Sequence, residues 1–202
     1  MTNKIIFSLL LFVSWNAWAA SLQNGAKAPN FKLTAHDGKT YDLSQFKGKN
    51  VVLEWYNDDC PYVKKHYDSG NMQSLQKKFT SQGVVWLSVI SSAPGKQGHV
   101  DQNGAKKLIA ARKSMPTAIL LDPEGNVGKQ YGAKTTPHMY IVDPKGALVY
   151  QGGIDDKPSA RPDSLKTAKP LFANALTSVL GGKKLSGQDA NTKPYGCSVK
   201  YK

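Results

Sequence analysis

The chain carries two cysteines, Cys60 and Cys197. A cysteine can serve as nucleophile, metal ligand or disulfide partner, and its surroundings decide which. Cys60 is followed by Pro61, a residue favoured at the first position of a helix, and preceded by the loop-forming run Asn57-Asp58-Asp59. The sulfur is therefore expected at a helix start, where unpaired backbone N–H groups and the positive end of the helix dipole favour the thiolate. Lys64 stands one turn further along the same face and adds positive charge, whereas Asp58 and Asp59 oppose it. The chemistry this pattern can do is thiol–disulfide exchange through a thiol of depressed pKa, with Pro61 and Lys64 bordering the substrate.

Glu54 lies six residues before Cys60 on the strand that delivers it, sharing a strand face with Val52 and Tyr56. A partly buried carboxyl there has a raised pKa and can accept a proton near the sulfur; the competing expectation is a strand-end carboxylate paired with a lysine. Cys197 is the only other thiol available to resolve a mixed disulfide on Cys60, and Tyr195, Val199 and Tyr201 give the polar tail around it apolar groups to dock across the helix start at Pro61, with Gly196 allowing a tight turn. Three arrangements stay open: a redox pair, two independent thiols, or a permanent staple, which for so long a loop would contribute about 5 kcal/mol. His66 invites a metal reading with Cys60, but six helical residues turn about 600° and leave the two on different faces. No metal and no cofactor is expected.

The elements that must hold these residues can be read from periodicity. Phe31-Lys-Leu33 and Lys39-Thr-Tyr41-Asp-Leu43 flank an Asp37-Gly38 turn and form a hairpin. The apolar run Val51 to Tyr56 reads as a buried strand, followed by a helix from Pro61 to about Phe79, bent at Ser69-Gly70. Val84 to Ile90 is a second buried strand, which makes a right-handed βαβ unit and implies a parallel sheet. A loop from Ala93 to Gly104, a helix from Ala105 to Lys113, a strand from Thr117 to Leu121 and a short helix ending near Tyr131-Gly132 follow. His138 to Val142 and Ala147 to Tyr150 flank Asp143-Pro-Lys-Gly146 as an antiparallel hairpin. Asp155 to Lys169 reads as an irregular connection, and apolar residues from Leu171 to Leu180 recur at helical spacing.

The chain has 202 residues, 40% of them hydrophobic and 20% charged, enough for one globular unit with a full core. Its start combines Lys4, an apolar stretch from Ile5 to Val13 and Ala17-Trp18-Ala19, the pattern of a secretory signal peptide. The apolar stretch is roughly half the ~20 residues a membrane span needs. The expected organisation is a signal peptide over residues 1–19, a folded unit over 20–182 and a tail over 183–202 that carries Cys197, in a periplasmic or secreted protein. The formal charge is +13, but export and the scatter of the lysines argue against a nucleic-acid partner. No stable membrane insertion is expected after cleavage.

The hairpin, the Val51–Tyr56 strand, Cys60-Pro61 at a helix start, the Asp122-Pro-Glu-Gly125 turn and Thr136-Pro137 before a hairpin resemble the thioredoxin superfamily, in its alkyl hydroperoxide reductase and thiol-specific antioxidant branch. The segment Glu54-Trp-Tyr-Asn-Asp-Asp-Cys60-Pro-Tyr-Val-Lys-Lys-His-Tyr67, with the late Tyr195-Gly-Cys-Ser-Val-Lys-Tyr201, is similar to the peroxiredoxin-like group. The resemblance implies an α/β fold of thioredoxin type: a central mixed β-sheet flanked by helices, an N-terminal hairpin extension and a C-terminal tail. It also implies a cis Thr136-Pro137 bond lining the Cys60 site, so both residues join the expected substrate-binding set. The chain departs from its relatives at Val63, where a thioredoxin has its second cysteine, and at Leu53 and Asn57, where a peroxiredoxin has Pro and Thr or Ser. The expected function is a thiol–disulfide oxidoreductase using Cys60, with Cys197 resolving. Its partners would be protein or small-molecule thiols and disulfides and an unidentified electron donor. A thiol-dependent peroxidase and a non-catalytic binding module with a structural disulfide are the alternatives.

Overall fold

The computed structural model describes residues 22–202, so the expected signal peptide and its cleavage site lie outside the described residues. The N-terminal hairpin joins β1 (Lys32–Ala35) to β2 (Thr40–Asp42). Gly38 takes the left-handed turn position at φ +81°, and Asp37 accepts the Lys39 N–H at 3.0 Å. The fully buried β3 (Val51–Trp55) leads to α1 (Pro61–Asp68) and α2 (Asn71–Thr80).

The sequence suggested one bent helix over this stretch, and the structure breaks it in two. Gly70 sits at φ +74°, a left-handed conformation that other residues adopt only at a steric cost. The chain continues through β4 (Val85–Ile90), α3 (Gln102–Arg112), β5 (Ala118–Leu121), α4 (Asn126–Tyr131), β6 (Thr135–Thr136) and β7 (His138–Val142). After β8 (Leu148–Gly152) come a 3-10 turn over Pro162–Thr167, α5 (Leu171–Leu180), the short α6 (Gly187–Ala190) and β9 (Cys197–Ser198).

Seven strands form one mixed sheet in the order β2-β1-β5-β4-β3-β7-β8, while β6 and β9 pair separately. β3, β4 and β5 run parallel, and β7 lies antiparallel to β3. Strand alternation divides the core cleanly. Val52, Trp86, Ile119 and Ile141 pack with Cys60, Val63, Phe79 and Phe172. Val51, Leu53, Trp55, Leu87, Leu120 and Tyr140 pack on the opposite face with Phe31 and Tyr131. There Trp55, Tyr131 and Tyr140 stack edge to face or tilted at centroid distances of 5.0 to 5.6 Å, contacts worth about 1 kcal/mol each beyond their area. This is a thioredoxin-like arrangement with a hairpin added at one sheet edge. Among the described residues, no helix is long and apolar enough to cross a membrane.

The tail over residues 183–202 is closely docked, as its apolar residues lead one to expect. The Val199 N–H donates to the Lys134 carbonyl and the Ala93 N–H to the Lys200 carbonyl. Tyr201 donates to the Ala133 carbonyl at 2.8 Å. Its ring fills a slot over Gly125 and Gly128, where an added Cβ would come within 2.4 Å of it.

Candidate active site

Cys60 is the N-cap of α1, in extended conformation, with Pro61 at the first helical position. Its carbonyl accepts the Val63 and Lys64 N–H groups, both at 2.9 Å, so the first turn is closed directly beneath the sulfur. The preceding loop is held by its polar side chains. Asn57 accepts the Asp59 N–H at 2.9 Å and donates to the Gln97 carbonyl at 3.2 Å. Asp58 accepts from Arg112 at 2.6 and 3.1 Å and from the Tyr56 hydroxyl at 2.6 Å. Burial alone would raise the Asp58 carboxyl, but the Arg112 guanidinium outweighs it and holds it below the usual range. The expected opposition of Asp58 to a Cys60 thiolate is thus largely neutralised by a cation that the sequence pattern did not single out. Lys64 likewise bears on Asp58, which its charge also lowers.

Thr136-Pro137 is a cis peptide, and the Cys60 thiol donates to the Thr136 carbonyl at 3.1 Å. Thr136 pairs in turn with Cys197 across the β6–β9 ladder. The approach is close enough to require glycine at 196, where φ is +139° and a Cβ would stand 2.1 Å from the Thr136 oxygen. The two cysteines, more than a hundred residues apart in sequence, therefore meet side by side as free thiols, Cys60 buried and Cys197 half-buried.

Burial pushes the Cys60 thiol up, but hydrogen bonds from the Cys197 thiol and from the Cys197 and Val63 amides more than offset this and hold it below its ordinary value. The buried Thr136 hydroxyl, which has no other partner among the described residues, lowers it as well. Cys197 moves the other way: burial, then its contact with Cys60, pushes it up to about 11, against a smaller pull from Lys200. The pair is electronically unequal, one sulfur disposed to ionise and the other to carry the proton.

Glu54 is completely buried on the Cys60 face of the sheet. Its carboxylate accepts from Tyr67 at 2.8 Å, Trp86 at 2.8 Å, Ser88 at 2.9 Å and Gln76 at 3.4 Å. Desolvation raises its pKa despite these four donors. Among the described residues no lysine pairs with it, so the alternative of a strand-end ion pair does not hold; a central strand position removes it from surface cations.

Beneath the tail lies a polar cluster that sequence reasoning passed over. Lys65, adjacent to Lys64 and indistinguishable from it by type, is buried. Its ammonium donates to Asp155 at 3.2 Å, to the Lys157 carbonyl at 3.1 Å and to the Tyr195 oxygen at 2.8 Å. Tyr195 donates to Asp155 at 2.5 Å. Asn71 donates to His66 Nδ1 at 2.8 Å, which assigns the ring proton to Nε2, 3.4 Å from the Tyr195 oxygen. His66 is thereby turned away from Cys60, and among the described residues no group of three or more His, Cys, Asp or Glu could hold a metal. Helical spacing gave no signal for this cluster: Lys65 stands about 200° around α1 from Val63 and Tyr67, opposite that apolar face, and only the segments packed against it there bury it.

His66 is lowered by burial, then by Lys65, to about 4, and His138 by burial, then by Lys134, to about 3. Both are neutral in the fold and bind protons more readily once it opens. Their contribution is complete above the unfolded value of 6.5 and is lost as pH falls toward about 4 and about 3. Each costs on the order of 3 kcal/mol by the low end of that range. Thermal midpoints measured at intervals from about pH 7 to about pH 4 should fall steadily, and a flat profile would refute the neutral assignment.

Comparison with known proteins accords with this geometry. The model of the AhpC/TSA family matches residues 24–151. The thiol-disulfide oxidoreductase ResA of Bacillus subtilis is 28% identical over 153 residues, which cover 72% of this chain and 77% of that protein. Chloroplastic peroxiredoxin Q of Triticum aestivum is 29% identical over 137 residues, covering 64% of this chain and 58% of that protein. Among solved structures, a hypothetical protein from Sinorhizobium meliloti superposes with a TM-score of 0.77 at 23% identity, over 90% of this chain and 96% of that one, a likeness of fold alone.

Proposed function

The chain belongs to the AhpC/TSA family, and from that premise we propose that it is an extracytoplasmic thiol–disulfide oxidoreductase in which Cys60 is the reactive thiol and Cys197 resolves. The observation that carries this reading is the pairing of Thr136 with Cys197, which packs the second thiol against the cluster that holds the first. The location rests on the signal-peptide pattern of residues 1–19.

The Cys60 thiolate attacks one sulfur of a client disulfide, forming a mixed disulfide and releasing the other client sulfur as a thiolate. Cys197 then gives up its proton and attacks Cys60, expelling the second client thiolate. Two electrons pass from the protein dithiol to the client, and a donor dithiol restores the protein by the same exchange. The thiol of lower pKa is the better leaving group, so a donor attacking the disulfide at half-buried Cys197 releases Cys60. Thr136 and Pro137 on one side and Pro61 and Lys64 on the other frame the client. Glu54, raised in pKa and on the same sheet face, completes the reading as proton acceptor.

Mild oxidation followed by non-reducing peptide mapping should yield an intramolecular Cys60–Cys197 cross-link. Recovery of intermolecular dimers alone would remove the resolving role. The relationship to peroxiredoxin Q supports a second reading, a thiol-dependent peroxidase. Insulin reduction measured beside peroxide consumption separates the two, and inactivity of a folded protein in both would leave a binding module.

A further inference from the structure

We infer that Tyr195 is a positioning residue that latches the tail into a socket formed by Lys65 and Asp155, and so sets the encounter of Cys197 with Cys60. The inference rests on the proposed resolving role of Cys197. Lys65 and Asp155 are a buried ion pair with 0% and 4% of their side chains exposed, and such a pair is stable only when its remaining hydrogen-bonding capacity is met. The tail meets it. An ammonium has three donors, and Lys65 directs one to Asp155, one to the Lys157 carbonyl and one to Tyr195. A phenol donates once and accepts twice; Tyr195 donates to Asp155 and faces Lys65 and His66 Nε2 with its lone pairs. Its ring adds an edge contact to Tyr62, 5.8 Å away between centroids.

The socket is built on the helix that Cys60 caps, since Lys65 and His66 belong to α1. Tyr195 precedes Cys197 by two residues, a span of at most about 7 Å, so fixing the phenol fixes the thiol. Docking of Val199 and Tyr201 on the far side restrains the chain after Cys197. The latch has a consequence for access: with it closed, the Cys60 residue is 0% exposed, and a client reaches the sulfur only as the tail lifts.

The test equilibrates the protein with reduced and oxidised glutathione, in which protein dithiol plus oxidised glutathione gives protein disulfide plus two reduced glutathiones. Tyr195→Phe keeps the ring and removes the hydroxyl. It should lower the equilibrium constant for the internal disulfide roughly tenfold, the scale of a hydrogen bond to a charged group. In a Cys197→Ser background the same substitution should raise the alkylation rate of Cys60 by a similar factor. Gly196→Ala, which undocks β9 through the backbone, provides a reference for the open tail. A Tyr195→Phe protein with a lowered thermal midpoint but unchanged equilibrium constant and alkylation rate would overturn the latch and leave a structural tyrosine. Wild-type protein that formed no internal disulfide at all would count against the resolving role of Cys197, while the alkylation comparison would still decide whether Tyr195 holds the tail over Cys60.

Discussion

Cys60→Ser is expected to reduce insulin-reduction activity to the uncatalysed background, because it removes the sulfur with the depressed pKa and leaves Cys197, whose burial disfavours its thiolate even without Cys60 beside it. Cys197→Ser should behave differently. Cys60 would still attack a client disulfide, but the mixed product would persist until an external thiol arrived. A thiol held in contact acts at an effective concentration well above the millimolar level of a loosely tethered one, so steady-state turnover at millimolar donor should fall at least ~100-fold. The trapped client–Cys60 adduct should be visible by mass in stoichiometric yield. If turnover were unchanged in Cys197→Ser, Cys60 would be a one-cysteine site.

Glu54→Ala is expected to be the most destabilising single substitution in the core. It strands the Trp86 indole and the Ser88 and Tyr67 hydroxyls as donors, leaves the Gln76 amide with the Tyr67 oxygen alone, and opens a cavity between them. Each buried polar group left without a partner costs about 1 to 3 kcal/mol. A total of about 4 kcal/mol or more is a large share of an ordinary folding free energy, and little folded protein should be recovered. Glu54→Gln keeps the volume and one acceptor oxygen while Tyr67 can turn to accept, so a cost of about 1 to 2 kcal/mol is expected in urea unfolding.

The pH dependence of that cost has a definite sign. Burial raises the folded pKa of Glu54 above 4.5, so its contribution is fully present below the unfolded value and declines as pH rises through the folded one. Glutamine does not titrate, and the gap between wild type and Glu54→Gln should narrow with rising pH. The same variant tests the proton-acceptor role. A pH–rate profile for Cys60 alkylation that does not move in Glu54→Gln would leave Glu54 as a hydrogen-bonding hub without a part in proton transfer.

Local signals were enough for the scaffold and for the first thiol. The continuous apolar runs over Val51–Trp55 and Val85–Ile90 mark strands buried on both faces, and the two-residue period of a strand then assigns each side chain to a face from the chain alone. Cys60-Pro61 after a loop-forming triplet marks a helix start by composition. The cis Thr136-Pro137 bond was within reach through family resemblance, where local spacing carries no such information.

The tail was a different matter. Tyr195, Val199 and Tyr201 mark a lysine-rich segment as able to dock, but it has no periodicity to read, and where it docks depends on partners far along the chain: Gly125 and Gly128 for Tyr201, the Lys134 carbonyl for Val199, and the Lys65–Asp155 pair for Tyr195. Lys64 and Lys65 differ by 100° around a helix, and only the element packed against that helix decides which is a surface charge and which a buried donor. The residues around Cys60 were enough to place one cysteine at a helix start; the tertiary structure decided which groups surround it, because long-range contacts alone bring Cys197 and Tyr195 to the start of α1.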